Sequence, residues 1–162
     1  MIKVLYPGSF DPITKGHMNI AKQASEIFDG VVVAIMKNPA KKDGFFTLEE
    51  RYEMIKEIYK DINNIEVIIG SGAAVDVAIL NKCKLIIRGL RGLSDLDDEF
   101  QLRQTNKEIS DGKVNTMFLA ADPEYQYLSS SKVKGVFSLG KDVSKYVDPI
   151  VNEKMLIKKR GI

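Results

Sequence analysis

Ile2-Lys3-Val4-Leu5-Tyr6-Pro7-Gly8-Ser9-Phe10-Asp11-Pro12-Ile13-Thr14-Lys15-Gly16-His17 decides the fold, because it carries the chain from an apolar run through a loop directly into a helical pattern. Ile2–Tyr6 has the length of a strand, and Pro7-Gly8 and Asp11-Pro12 are turn formers. From His17 to Phe28, the residues Met18, Ala21, Ala24, Ile27 and Phe28 make one apolar stripe at helical spacing. This strand–loop–helix unit is the first of several.

Four more apolar runs follow, at Val31–Met36, Ile65–Ile69, Leu85–Ile87 and Thr116–Ala120. They are rich in Val, Ile or Leu with little alternation, the pattern of strands buried on both faces. Helical patterns fill the gaps. Leu48, Tyr52, Ile55, Tyr59 and Ile62 repeat every three or four residues, and Thr47 with Glu50 reads as a capping box ahead of them. Two more helices are expected at about 73–81 and 94–110, the second with Ser94 as N-cap and acids that complement the helix dipole. After the last strand the chain reads as helical at about 130–139 and 149–159. Alternating strand and helix predict a single α/β domain, 1–162: a Rossmann-like, doubly wound, five-stranded parallel sheet with helices on both faces and a helical C-terminal segment.

Composition narrows the function. The chain has 162 residues, 44% apolar and 28% charged, which matches globular proteins rather than disordered ones. A formal net charge of +2 supplies no electrostatic footprint for nucleic acid. The longest apolar run falls far short of the roughly 18 residues of a membrane helix, and the N-terminus enters a strand pattern without a signal peptide. A cytoplasmic protein is expected, and Cys83 reads as a small buried hydrophobe.

In an open parallel sheet, ligands bind beyond the carboxyl ends of the strands. The loop before His17 lies there, with Gly16 leaving room for a ligand beside amides that favour an anion. His17 is the only histidine. It therefore cannot belong to a histidine metal cluster, and Cys83 is remote from it. Arg88 and Arg91, spaced by glycine in Ile87-Arg88-Gly89-Leu90-Arg91-Gly92, suit a clamp on phosphate oxygens. Ser129-Ser130-Ser131 enters a helix and reads either as a phosphate cradle or as simple N-capping. Lys41-Lys42 reads either as a phosphate contact or as a solvated loop. Lys158-Lys159-Arg160 suits the carboxyl end of a helix. The first four features fall in four strand-end loops, and the partner that suits such a mouth is a polyphosphate.

These residues resemble the nucleotidyltransferases that carry a (His/Thr)-x-Gly-His signature and a serine-rich second motif. Within that superfamily, residues 6–17, 46–51, 87–91 and 129–134 are similar to the phosphopantetheine adenylyltransferase family. The resemblance implies transfer of the adenylyl group of ATP to 4′-phosphopantetheine, giving dephospho-coenzyme A and pyrophosphate in coenzyme A biosynthesis. It also implies Mg²⁺ and a homohexamer. By position, ATP would be held by Ser9, Phe10, His17, Gly89, Leu90, Arg91, Glu99 and the stretch Tyr125, Gln126, Tyr127, Leu128, Ser129, Ser130 and Ser131. Phosphopantetheine would be held by Ser9, Lys41, Ala74 and Arg88, and His17 would stabilise the transition state.

The chain departs from the family at several points. Ser9 stands where Thr is frequent and Tyr125 where Trp is frequent. A loop one residue longer leaves open whether Lys41 or Lys42 meets the phosphate. Ser71-Gly72-Ala73-Ala74 lacks an acid that some relatives carry.

The implied chemistry suits so sparse a site. A phosphate monoester is largely dianionic at neutral pH, its second pKa being about 6, and needs no general base. Lys41 and Arg91 would offset charge crowding, and Mg²⁺ would travel with the nucleotide phosphates. Two rivals share the motifs: a transferase for another phosphorylated acceptor, and a nucleotide sensor without turnover.

Overall fold

The structure, a computed structural model, describes residues 1–40 and 44–161. Lys41 and Lys42 lie outside the described residues. In chain order the elements are β1 (Lys3–Gly8), α1 (Lys15–Ile27), β2 (Gly30–Met36), α2 (Leu48–Tyr59), β3 (Ile65–Gly70) and α3 (Ala74–Leu80). They continue with β4 (Leu85–Leu90), α4 (Leu96–Ile109), β5 (Asn115–Ala120), α5 (Ser130–Ser138) and α6 (Pro149–Lys159). All strand pairs are parallel, in the order β3-β2-β1-β4-β5.

The pleat sends alternate side chains to opposite faces, and a helical layer covers each. Val4, Tyr6, Val33, Ile35 and Ile87 pack with residues of α1, α2, α5 and α6. Leu5, Val32, Ala34 and Ile86 pack on the other face with α3 and Cys83, which is 3% exposed. The expected doubly wound α/β architecture is therefore present. Burial on both faces holds for β2 but not for β3 or β5, where Glu66, Ile69, Asn115 and Met117 are exposed. Those two strands are the edges of the sheet, each paired on one side only.

Three local readings are corrected. Helix α1 starts at Lys15, two residues before His17, because Thr14 is its N-cap. Its buried stripe runs through Ile20, Ala21 and Ala24, whereas Ile27 is 61% exposed. Ser94 does not cap α4; a short 3₁₀ turn, Leu93–Asp95, absorbs it and Asp95 takes the cap position. The Thr47–Glu50 box forms as expected. Glu50 also receives Lys158 at 2.8 Å, so this lysine ties α6 to α2 as well as lying in the last turn of α6.

The sheet opens where the site lies. The β1–β2 ladder runs the whole length of β1 to Gly8↔Ile35, but β1 pairs with β4 only at Val4↔Leu85 and Leu5↔Ile86. Beyond that point both strands continue while unpaired with each other. Pro7 has no N–H to extend a ladder. The crevice lies between the two strands at which the order of the sheet reverses, the expected ligand position of a doubly wound fold. Helix α1 lies close over β4 because a Cβ on Gly89 would meet Ile20 Cγ1 at 3.0 Å.

Candidate active site

A cleft of about 420 Å³ occupies the crevice. From β1 and its loop come Tyr6, Gly8, Ser9 and Phe10; from the start of α1, Thr14, Gly16 and His17. Arg88, Gly89, Arg91 and Glu99 line the opposite wall, and Tyr125, Leu128 and Ser129–Ser131 close the third side. Three of the four expected strand-end features thus meet in one cavity, the fourth being the lysine pair outside the described residues.

His17 is the third residue of α1, and its ring is held by the helix cap. Thr14 Oγ1 accepts the His17 backbone N–H at 3.3 Å, and His17 Nδ1 accepts the Thr14 backbone N–H at 3.0 Å. A backbone N–H only donates, so Nδ1 carries the lone pair and the neutral ring carries its proton on Nε2. Nε2 has no partner among the described residues. Burial pushes the imidazole pKa down to about 4, with repulsion from Arg91 and then Arg88 adding to it. The site therefore presents a neutral, oriented N–H donor.

Phe10 packs edge-on against both His17 and Tyr6, at 5.2 and 5.4 Å between ring centroids. Its backbone has φ of 46°, a left-handed conformation that costs a side-chain-bearing residue roughly 1–2 kcal/mol. A Cβ on Gly8 would lie 2.9 Å from Phe10 Cζ, so the glycine makes space for the ring. The loop is tied down from two directions. Asp11, 8% exposed, accepts the backbone N–H groups of Phe45 at 2.7 Å and Phe46 at 2.8 Å. Arg51 Nη1 donates to the Ser9 carbonyl at 2.7 Å.

Arg88 is held by Glu99 through two bonds, Nε to Oε2 at 2.9 Å and Nη2 to Oε1 at 2.7 Å. Such a bidentate pair fixes the plane of the guanidinium. Arg91 Nη1 donates to the Leu128 carbonyl at 3.0 Å, linking β4's end to α5. Ser129 caps α5 by accepting the Lys132 N–H at 3.1 Å, and Ser130 Oγ donates to the Pro12 carbonyl at 2.8 Å. The first turns of α1 and α5 thus border one cavity, and their free amides favour an anion.

Not every expected residue joins the cleft. Leu90 and Gln126 do not line it, and Tyr127, 84% exposed, faces a different one. Ala74 lies in an adjoining cleft of about 340 Å³ with Met36, Lys37, Ile86 and Leu102. Pro7, Gly8, Ser9 and Arg88 border both cavities. Glu99 lines the cleft and pairs there with Arg88. Reading the sequence missed the anchoring roles of Asp11 and Arg51, since the distances from Asp11 to Phe45 and from Arg51 to Ser9 along the chain carry no local signal.

A family model described as cytidylyltransferase-like matches residues 5–136. The chain is 46% identical over 155 residues to the phosphopantetheine adenylyltransferase of Heliobacterium modesticaldum, covering 96% of this chain and 91% of that one. It is 48% identical over 145 residues to that of Finegoldia magna, covering 90% and 88%. Among solved structures, a nicotinic acid mononucleotide adenylyltransferase of Plasmodium falciparum, complexed with NaAD, superposes with a TM-score of 0.68 at 18% identity, covering 98% and 96%. A putative nicotinate-nucleotide adenylyltransferase of Vibrio parahaemolyticus gives 0.63 at 19%, covering 96% and 99%. The structural likeness extends to the fold.

Proposed function

The chain belongs to the phosphopantetheine adenylyltransferase family, and on that premise we propose how this cleft transfers the adenylyl group of ATP to 4′-phosphopantetheine. A phosphate oxygen of phosphopantetheine bonds to the α-phosphorus of ATP, the bond from that phosphorus to the α,β-bridging oxygen breaks, and pyrophosphate leaves. Both nucleophile and leaving group are anions, so no proton needs to move. The work is to hold two repelling anions in line and stabilise charge on the transferring phosphoryl.

The observation that carries this reading is the single cavity shared by the neutral His17 donor, Arg88, Arg91 and two helix N-termini. His17 Nε2–H donates to the α-phosphoryl oxygens as their charge grows. Arg91 and the α5 amides take the nucleotide phosphates. Arg88, at the border of the two clefts, takes the phosphate of phosphopantetheine, whose pantetheine arm occupies the cleft of Ala74 and Leu102. Lys41 or Lys42 adds charge from the loop after β2.

Mg²⁺ fits this cleft as an ion held chiefly by the nucleotide phosphates. Of the three carboxylates lining it among the described residues, Glu99 and Asp95 face Arg88 and Arg91, which leaves Asp98 to take a coordination position. When bound, the ion neutralises phosphate charge and orients the leaving group. Assembly as a homohexamer in the cytoplasm completes the reading. The assembly is supported by the exposed apolar side chains of Phe100, Ile109 and Met117 on α4 and β5.

The test is pyrophosphate release from ATP with 4′-phosphopantetheine compared with glycerol 3-phosphate. Release with the first acceptor alone is expected; release with neither, despite ATP binding, identifies a sensor. The two arginines separate the substrates. Arg91→Ala is expected to weaken ATP and Arg88→Ala to weaken phosphopantetheine, each by about 10- to 100-fold for a lost charge-assisted contact. Calorimetric titration showing the opposite pattern would reverse the two assignments.

A further inference from the structure

The first turns of α1 and α5 present a second face. Thr14, Gly16 and His17 point to the active cleft, but Lys15 lies on the other side of α1. Ser129–Ser131 likewise border the active cleft while Lys132 turns away. Behind them is a separate cavity of about 430 Å³, where Lys15 and Lys132 meet Lys145 and Tyr146 from the segment between α5 and α6. Among the described residues, only Tyr125 and Leu128 border both cavities.

Two of the ammonium groups lie over one aromatic ring, and the third is held on the same segment. Lys145 Nζ lies 4.9 Å and Lys132 Nζ 5.3 Å from the Tyr146 ring centroid, and Lys15 Nζ donates to the Ser144 carbonyl at 3.4 Å. The Tyr146 carbonyl accepts the Lys15 backbone N–H at 2.9 Å, fixing that segment to α1. Among the described residues, none of the three lysines has a carboxylate within ion-pair distance. Glu124 is the one acid among the described residues that line the cavity, and Asp142 nearby accepts the Ser144 backbone N–H at 3.0 Å and its hydroxyl at 2.7 Å. Three ammonium groups against the single carboxylate of Glu124 among the described lining residues leave the cavity with an excess of positive charge, which favours an anion.

We propose that this cavity is a second anion site, distinct from the active cleft, that binds a polyphosphate group through Lys15, Lys132 and Lys145. Its volume lies within the range of small-ligand sites, about 300–1,000 Å³, and is too small for an extended polymer. Ammonium groups on flexible stems suit phosphate oxygens as point charges. The polyphosphate is either free pyrophosphate or the phosphate chain of a nucleotide, whose base would find a stacking face on the exposed Tyr127. The site extends the proposed function and does not depend on it.

The test titrates inorganic pyrophosphate calorimetrically, at low ionic strength, into protein saturated with α,β-methylene-ATP. One pyrophosphate is expected to bind still, and Lys132→Ala/Lys145→Ala should weaken that binding about 10- to 100-fold. ADP in the same titration separates the sources: tighter binding than pyrophosphate means a nucleotide, weaker binding means the free anion. The same lysine-dependent binding should appear without the nucleotide analogue, so a failure of the analogue to bind does not obscure it. Exclusion of pyrophosphate by the analogue, with lysine-dependent binding in its absence, means that the analogue's own phosphate chain fills the site and identifies the nucleotide; equal binding by the double variant with and without the analogue overturns the second site.

Discussion

Replacing His17 by alanine is expected to lower kcat about 10²- to 10³-fold with little change in the KM for ATP, the signature of a donor used mainly in the transition state. The substitution has a second consequence, because Nδ1 also receives the Thr14 N–H that closes the α1 cap. Losing that partner is expected to cost about 1 kcal/mol of stability. His17→Asn separates the effects: its amide oxygen serves the cap, while its shorter side chain does not reach the phosphoryl group. Stopped assays and urea unfolding of both variants should show a shared loss of turnover and a loss of stability confined mainly to alanine. Unchanged turnover in both would remove His17 from the mechanism.

The imidazole also leaves a mark on pH dependence. Its folded pKa, about 4, is below the unfolded value of about 6.5, so between these values the unfolded chain binds more protons. Stability therefore falls as pH drops from about 6.5 to about 4, and His17→Ala should lose that part of the acid dependence. Turnover behaves differently. Its acid limb should lie near pH 6, where the attacking phosphate gains a proton, and should persist in the variant.

Asp11→Ala is expected to destabilise the fold by about 2–4 kcal/mol, since it removes two charge-assisted hydrogen bonds and leaves the Phe45 and Phe46 amides without acceptors. Asn is a poor rescue, because it presents an NH₂ to one of two donors. The functional effect follows from position. Asp11 holds the loop that carries Phe10 in a left-handed conformation against His17 to the segment leading into α2. With the clamp lost, kcat/KM for both substrates should fall together, in contrast to the selective effects at Arg88 and Arg91. Denaturant titration alongside steady-state kinetics checks both parts; a stable, fully active Asp11→Ala protein would refute the clamp.

The chain's own pattern determined the alternation of strands and helices, the parallel sheet, the cap at Thr47 and the ranking of strand-end loops, because these depend on residue periodicity and local turn chemistry. Neighbouring residues were also enough to mark His17, Arg88, Arg91 and the serines as candidates. Tertiary structure alone decided which of them share a cavity, that Glu99 serves Arg88, and that Tyr127 faces the lysine cavity. These outcomes arise from contacts between separate elements of the fold and from where β1 and β4 part company. Strand order and splay set such distances, and they leave no trace in local sequence.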